Sequence, residues 1–319
     1  MRLKVDIPQE LKEKIEKITL EMQHTKIIEE SQSISKKYRD NEGKGKKLVT
    51  KQSEAIAYAI SRMLATYCAV YSALLQCLKN YNQDIKSVLD VGAGTGAATW
   101  AVTNLIDAKQ MTCLEREEQM LRVGKQLIES NMPNVDWKLF DLNKDEIQEK
   151  ADLVVTSYVI NELTEKDRKK AIAKLWDATR GMLLIIEPGT PEGFKHILEA
   201  REMLLEQGGN IIAPCAHNEQ CPIGETDWCS FYVRVARSGI QRQAKKGELG
   251  YEDEKFSYIA FSKTPVKQSD AVILRHPQIA TGNVKVKLCT LNGIEERTYS
   301  KKDKEIYKRI RKLDAGDTI

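Results

Sequence analysis

Three thiols fall within one short polar stretch, Cys215-x5-Cys221-x7-Cys229, and Cys289 is the only later cysteine that would close a set of four. Thiolates are soft donors that suit iron-sulfur clusters or zinc. Structural zinc favours closely spaced cysteine pairs, whereas this wider spacing would wrap a larger object, so a cluster is preferred over zinc. His217 offers a substitute fourth ligand, with a hydrogen-bonded loop histidine as its plainer role, and four unrelated cysteines is the bland alternative. A second constellation is Asp90-Val91-Gly92-Ala93-Gly94-Thr95-Gly96, where glycine lets backbone approach a ligand without interference from Cβ. Glu115 and Asp141 follow downstream, one suited to a ribose diol and the other to an adenine amine, so this set reads as a nucleoside site.

Such residues need strands and helices in alternation to hold them. From Lys86 onward, short β-branched runs alternate with helical segments, the signature of a parallel sheet with crossover helices. Strands are predicted at Ser87 to Val91, Met111 to Glu115, Val135 to Phe140, Asp152 to Tyr158 and Met182 to Glu187, with a helix from Ala97 to Ile106. The glycines then lie where the first strand meets its helix, Glu115 ends the second strand, and Asp141 follows the third. Phe256 to Phe261 reads as a sixth strand, making the cysteine-bearing stretch between Gly208 and Gly250 an insertion before the sheet finishes. Upstream, Pro8 to Leu78 is helical, with Leu11, Ile15 and Ile18 on one stripe and a long apolar helix from Ala55 to Leu75. Downstream, Ala271 to Ile319 alternates like strands around Val284 to Cys289 and ends in a basic helix. The chain thus divides into a helical region at 1–84, a Rossmann-like domain at 85–265 with its Cys-rich insertion at 208–250, and an extension at 266–319 that completes the metal-cluster site.

Composition sets outer bounds. With 319 residues and 41% apolar content the chain can bury a substantial core, so disorder is not the default. Its 50 basic residues against 46 acidic ones give +4, too mild by itself to prove a polyanion partner. No stretch approaches a membrane span and the first residues lack the apolar core of a signal peptide, so a cytoplasmic protein, monomeric when free and without a membrane partner, is expected. Disulfides are then not expected, and Cys68, Cys77 and Cys113, which lie in apolar periodic segments, read as small core residues.

The D-x-G-x-G-x-G pattern is similar to the first motif of class I methyltransferases. On that likeness Asp90, Gly92, Ala93, Gly94, Gly96, Glu115 and Asp141 are the expected contacts to S-adenosylmethionine (SAM). A dinucleotide is disfavoured, because its G-x-G-x-x-G fingerprint wants glycine where Ala97 stands. No C-x3-C-x2-C run is present, so the cluster and SAM are not read as reacting together. A catalytic element is harder to find. Base-amine methylation commonly uses an Asn/Asp-Pro-Pro-Tyr/Phe element after the fourth strand, and here that place reads Thr156-Ser157-Tyr158-Val159-Ile160-Asn161. Nor does that strand end in the cysteine that attack on a pyrimidine would need. Tyr158 and Glu162 remain as potential substrate contacts, or as a strand-end aromatic and a helix-start acid.

Beyond that motif, the chain resembles the methyltransferase-like proteins of small ribosomal subunit assembly, known from mitochondria and with bacterial and archaeal relatives. The resemblance runs from about Ala55 to the C-terminus. It is carried by Ala65-Thr66-Tyr67, Asp90 to Trp100, Asp152 to Val155 with Asn161-Glu162-Leu163, and Glu187-Pro188-Gly189-Thr190-Pro191. Ala213 to His217, Asp227 to Phe231 and Tyr251 to Tyr258 carry it further and are more specific than the glycine turn. The resemblance implies a [4Fe-4S] cluster with Cys215, Cys221, Cys229 and Cys289 as ligands, and binding to small-subunit rRNA during maturation.

For RNA, Arg234, Arg237, Arg242, Lys245 and Lys246 cluster just after the cysteine loop, with little acid within Arg234 to Arg237 itself. A second basic stretch, Lys301 to Lys312, has acids interleaved and reads equally as a solvated helix face. Lys36 to Lys47 reads equally as a phosphate-meeting loop or a plain solvated linker. The expected fold is therefore α/β, a class I SAM-dependent methyltransferase (Rossmann-like) doubly wound sheet with a helical N-terminal region, a Cys-rich insertion and a small β-rich C-terminal extension. The expected function is a SAM-binding, cluster-containing factor that binds small-subunit rRNA and assists assembly of, or translation by, the small ribosomal subunit. An active rRNA methyltransferase is the alternative.

Overall fold

A computed structural model describes residues 5–20, 22–39, 47–128, 132, 134–245 and 247–319. The chain opens with helices α1 (Gln9–Thr19) and α2 (His24–Arg39). The long apolar helix then runs as α3 (Gln52–Tyr58), a π-helical turn (Ala59–Met63) and α4 (Leu64–Leu78). The apolar stripe Leu11, Ile15 and Ile18 is buried, as its helical spacing requires. In α4 nearly every side chain is buried, because the helix lies across the sheet, packing on neighbouring strands and on the first crossover helix.

The sheet begins with β1 (Ser87–Val91), α5 (Ala97–Thr103), β2 (Gln110–Glu115), α6 (Glu118–Ile128), β3 (Val135–Leu139) and β4 (Ala151–Ser157). It continues through α7 (Glu165–Ala178), β5 (Thr179–Pro188), α8 (Pro191–Glu206), β6 (Asn210–Ala213), β7 (Phe231–Ala236), α9 (Gly239–Ala244) and β8 (Tyr251–Ser262). The strand order is β3-β2-β1-β4-β5-β8-β6, parallel from β3 to β5, with β8 antiparallel beside β5. The order reverses between β1 and β4, leaving a crevice outside their carboxyl ends where ligands of such sheets bind. This is the doubly wound order of the class I methyltransferase fold. Leu89, Val154 and Leu184 are fully buried between the two helical layers, each worth about 1.5–3 kcal/mol by burial.

The insertion differs from expectation. It is not simply a loop: β6 and β7 pair with successive parts of β8, at Ala260 to Ser262 and Tyr251 to Phe256, and the cysteine loop leaves the sheet between them. Beyond it, β9 (Ala271–Ile273), β10 (Gln278–Ala280), β11 (Asn283–Thr290) and β12 (Gly293–Ser300) form a second antiparallel sheet, covered by α10 (Lys304–Ile310). Val284, Val286, Leu288, Tyr307 and Ile310 make its separate small core.

Candidate functional site

The first site lies at the β1–β4 crevice. Gly92, Gly94 and Gly96 hold φ of +73°, +57° and +88°, left-handed values that glycine adopts without steric cost. A Cβ on Gly92 would lie 2.3 Å from Val159 Cγ2, whereas one on Gly94 would meet only Met120 Cε at 3.5 Å. Gly94 is therefore the less crowded of the two, and its N–H donates to Glu115 Oε2 at 2.7 Å. Glu115 Oε1 accepts the N–H of Glu117 at 2.8 Å. Burial pushes the Glu115 carboxyl up to about 7, against these two backbone donors. Gly92, Gly94, Glu115 and Asp141 line one cavity together with Tyr158 and Glu162.

The other expected contacts stand behind it. Asp90 is buried, and its Oδ2 accepts the Thr99 hydroxyl at 2.7 Å and the Thr99 N–H at 3.1 Å, fastening β1 to α5. Its Oδ1 has no partner, and burial raises its carboxyl to about 6 against the Thr99 donors. The Ala93 N–H donates to the Leu114 carbonyl, and a Cβ on Gly96 would lie 2.5 Å from Ile128. Sequence reading missed Arg116, Glu117 and their pairs. Arg116 bridges to Glu162 at 3.0 Å, while the Glu117 carboxylate takes the N–H groups of Leu48 and Val49 at 2.7 Å each, tying the N-terminal helical region to the end of β2. Burial lifts Glu162 to about 7, opposed by Arg116.

At the end of β4, Tyr158 has φ +60°, a left-handed conformation that costs a non-glycine residue about 1–3 kcal/mol. Its hydroxyl donates to Glu254 at 2.9 Å, and Glu254 pairs with Arg62 of the π turn at 3.1 Å. Beside it, a second polar cavity is lined by Tyr58, Arg62, Tyr158 and Asn161, whose buried Oδ1 has no partner.

The second site is sulfur-rich. Cys215, Cys221, Cys229 and Cys289 all line one cavity between α8, the insertion and the second sheet. Cys289 arrives from β11, where it pairs with Val272 and Ile294. His217 Nε2 stands 3.6 Å from Cys289 Sγ. Burial drives Cys229 far above its ordinary range, and the other three thiols add to the rise. Among the described residues no group of three or more His, Cys, Asp or Glu side chains is placed so as to hold a metal ion, so the expected set meets as far as a shared cavity. Arg201 also lines it, fully inside the protein, donating to the carbonyls of His217 (3.2 Å) and Glu219. The loop is anchored by Ser257 Oγ to the Cys229 carbonyl at 2.7 Å and by Trp228 Nε1 to the Gly189 carbonyl at 3.0 Å. Across the gap, Asp227 pairs with Lys287 at 2.9 Å and with Arg275. Cys68, Cys77 and Cys113 are buried in the main core, away from this cavity.

The basic cluster after the loop is less bare than its local sequence suggests. Arg234 makes a two-pronged pair with Asp253 at 2.7 and 2.9 Å, and Arg237 and Lys245 share Glu252. The reading of little compensating acid is corrected: the acids come from β8, the paired strand. Arg242 is exposed on α9, and Lys246 lies outside the described residues, as does most of the Lys36 to Lys47 stretch.

A sequence profile of the family described as mitochondrial small ribosomal subunit Rsm22 matches residues 52–319. The chain belongs to the Rsm22 family. Among curated Rsm22-like relatives, it is 24% identical over 294 residues to the human "Ribosome assembly protein METTL17, mitochondrial", covering 83% of this chain and 62% of that protein. It is 26% identical over 243 residues to "Rsm22-cox11 tandem protein 2, mitochondrial" of Schizosaccharomyces pombe, covering 66% of this chain and 32% of that one. This Rsm22 chain therefore spans less than two thirds of either relative. Among solved structures, magnesium protoporphyrin IX methyltransferase of Synechocystis PCC 6803 aligns with a TM-score of 0.41 at 13% identity, over 72% of this chain and 93% of that one.

Proposed function

We propose that this Rsm22 family member is a cytoplasmic, RNA-binding assembly factor of the small ribosomal subunit that uses SAM and a [4Fe-4S] cluster as structural cofactors rather than as reagents. The observation that carries the non-catalytic reading is at the end of β4. The side chains nearest the nucleoside cavity that could work on a substrate are already committed, Tyr158 to Glu254 and Glu162 to Arg116.

The chemistry of the residues present suits both groups. For SAM, three left-handed glycines, the uncrowded Gly94 on the cavity wall and the carboxylates Glu115 and Asp141 make a nucleoside cradle at the sheet's crevice. SAM bound there supplies an electrophilic methyl group, while Gly94 gives backbone access and Glu115 and Asp141 receive ligand hydroxyls and amine. A ligand held only by the folded state stabilises it by mass action without turnover. For the cluster, the donors are four buried or half-buried sulfurs with no carboxylate lining their cavity, the set that soft iron-sulfur centres prefer. The family match to residues 52–319 and the ribosome assembly role that the human relative is named for support the small subunit as partner.

The test is to incubate the purified protein with methyl-labelled SAM and precursor small subunits. Bound SAM without label transfer to rRNA is expected. Transfer that disappears in Gly94→Val would overturn the non-catalytic reading and favour an rRNA methyltransferase.

A further inference from the structure

Helix α8 carries an arginine where its packing calls for an apolar side chain. Phe194, Ile197 and Arg201 recur at helical spacing, and all three line the cysteine cavity. Arg201 is 3% exposed. One guanidinium nitrogen is spent on the carbonyls of His217 and Glu219, but its Nε has no partner at all. A buried, unpaired donor on a permanent cation is destabilising unless something held in the cavity accepts from it. Two more buried polar atoms without partners belong to residues on the same cavity, His217 Nδ1 and the Tyr258 hydroxyl. The cavity's lining holds no carboxylate to balance the guanidinium, only the four sulfurs.

Four thiolates around a four-iron core leave a net negative charge that grows by one when the cluster takes an electron. A fixed positive charge with a spare N–H beside the sulfurs favours the more negative, reduced state, since hydrogen bonds to sulfur and local charge set cluster potentials. We propose that Arg201 is the positioning residue of the sulfur site: it holds the Cys215–Cys221 loop by its carbonyls and, through its free Nε–H and its charge, raises the reduction potential of the bound cluster. The inference rests on the cluster reading above. It assigns to the centre a tuned one-electron couple, which a purely mechanical staple would not need.

The test uses the full chain, reconstituted anaerobically with iron and sulfide. Wild type, Arg201→Lys and Arg201→Gln are assayed for iron content, visible absorption and midpoint potential, the last read only from molecules that hold a cluster. Arg201→Gln should shift the reduced-to-oxidised ratio at fixed potential by about tenfold toward oxidised, a fall of about 59 mV for one electron, and Arg201→Lys should restore most of it. Tyr258→Phe, which removes one hydroxyl at nearly constant volume, guards against a folding artefact and should give a smaller fall in the same direction. Loaded variants whose potentials equal wild type would overturn the role of Arg201 while leaving the cluster intact. Wild-type protein that takes up stoichiometric zinc and no iron would overturn the cluster reading, and the Arg201 inference with it.

Discussion

At the scale of single residues, Glu115 is where burial and ligand chemistry pull against each other. Its carboxyl is raised to about 7 by burial, and each oxygen already accepts one backbone N–H, from Gly94 and from Glu117. Around it stand Glu117, also raised by burial, Glu162 and the cation Arg116, with Lys47 acting on Glu117 as well. Ribose hydroxyls donate to a carboxylate, so they prefer the ionised form. Below about pH 7 that form must first be made by losing a proton, and the ligand's affinity should therefore rise as pH increases through 7, by at most about tenfold per unit. Calorimetry of S-adenosylhomocysteine binding at pH 6 and pH 8 checks this: wild type should tighten and release a proton, while Glu115→Gln should bind more weakly and with a flatter profile. A wild-type affinity independent of pH would mean that Glu115 does not meet the ribose. The glycines and this acid were legible because a turn that exposes backbone can be built from few residue types. Arg116 and Glu117 were not, because their partners, Glu162 and the Leu48 and Val49 amides, are distant in sequence.

At the scale of elements, β-branched runs such as Ser87 to Val91 announced the parallel strands, since strands covered on both faces are largely apolar, Asp90 being the buried exception here. The short β6 and the mixed β7 carried no such signal, and only their pairing with β8 defines them. That pairing also changes the charge arithmetic. Local sequence shows Arg234 and Arg237 as free cations, yet β8 sets Asp253 opposite Arg234 and brings Glu252 within reach of Arg237, leaving Arg242 exposed on α9 with no ion pair among the described residues. A cation that already has a carboxylate displaces fewer counterions from RNA. Arg242→Ala should accordingly lower the slope of log affinity against log salt for a small-subunit rRNA fragment by about one counterion, and Arg237→Ala should leave it nearly unchanged. Filter binding at several salt concentrations distinguishes the two, and equal loss in both variants would mean that the ion pairs open on binding.

At the scale of the whole molecule, the cysteine loop and the second sheet meet at the sulfur cavity, and what joins them decides whether they open together. The sequence pointed to Cys289 as the partner of the insertion's three cysteines, but not to the pairing of β11 with β9 and β12 that carries it to their cavity. Polar ties across this junction among the described residues include Asp227 with Lys287 and Arg275, Arg275 with the Trp228 carbonyl at 2.9 Å, the Tyr232 hydroxyl with Asp314 at 3.3 Å, and Asp317 with Gln76 at 3.1 Å and Lys79 at 3.4 Å. Burial works against the charge on Asp227, but Lys287 and Arg275 still hold its carboxyl below the ordinary range, so these pairs persist at neutral pH. Partly exposed pairs of this kind contribute roughly 0–1 kcal/mol each. A group bound to sulfurs from both sides would add far more, and its loss should loosen 271–300 and the loop from Cys215 to Cys229 together. In Cys289→Ser, amide exchange in those two segments should accelerate by at least about tenfold, or 1.4 kcal/mol, while β1 and β2 stay as protected as before. Chelating iron from the wild-type protein should reproduce the same map. Exchange that rises throughout the sheet would point instead to general damage from the substitution, and no change in either segment would mean that the sulfur site does not bridge them.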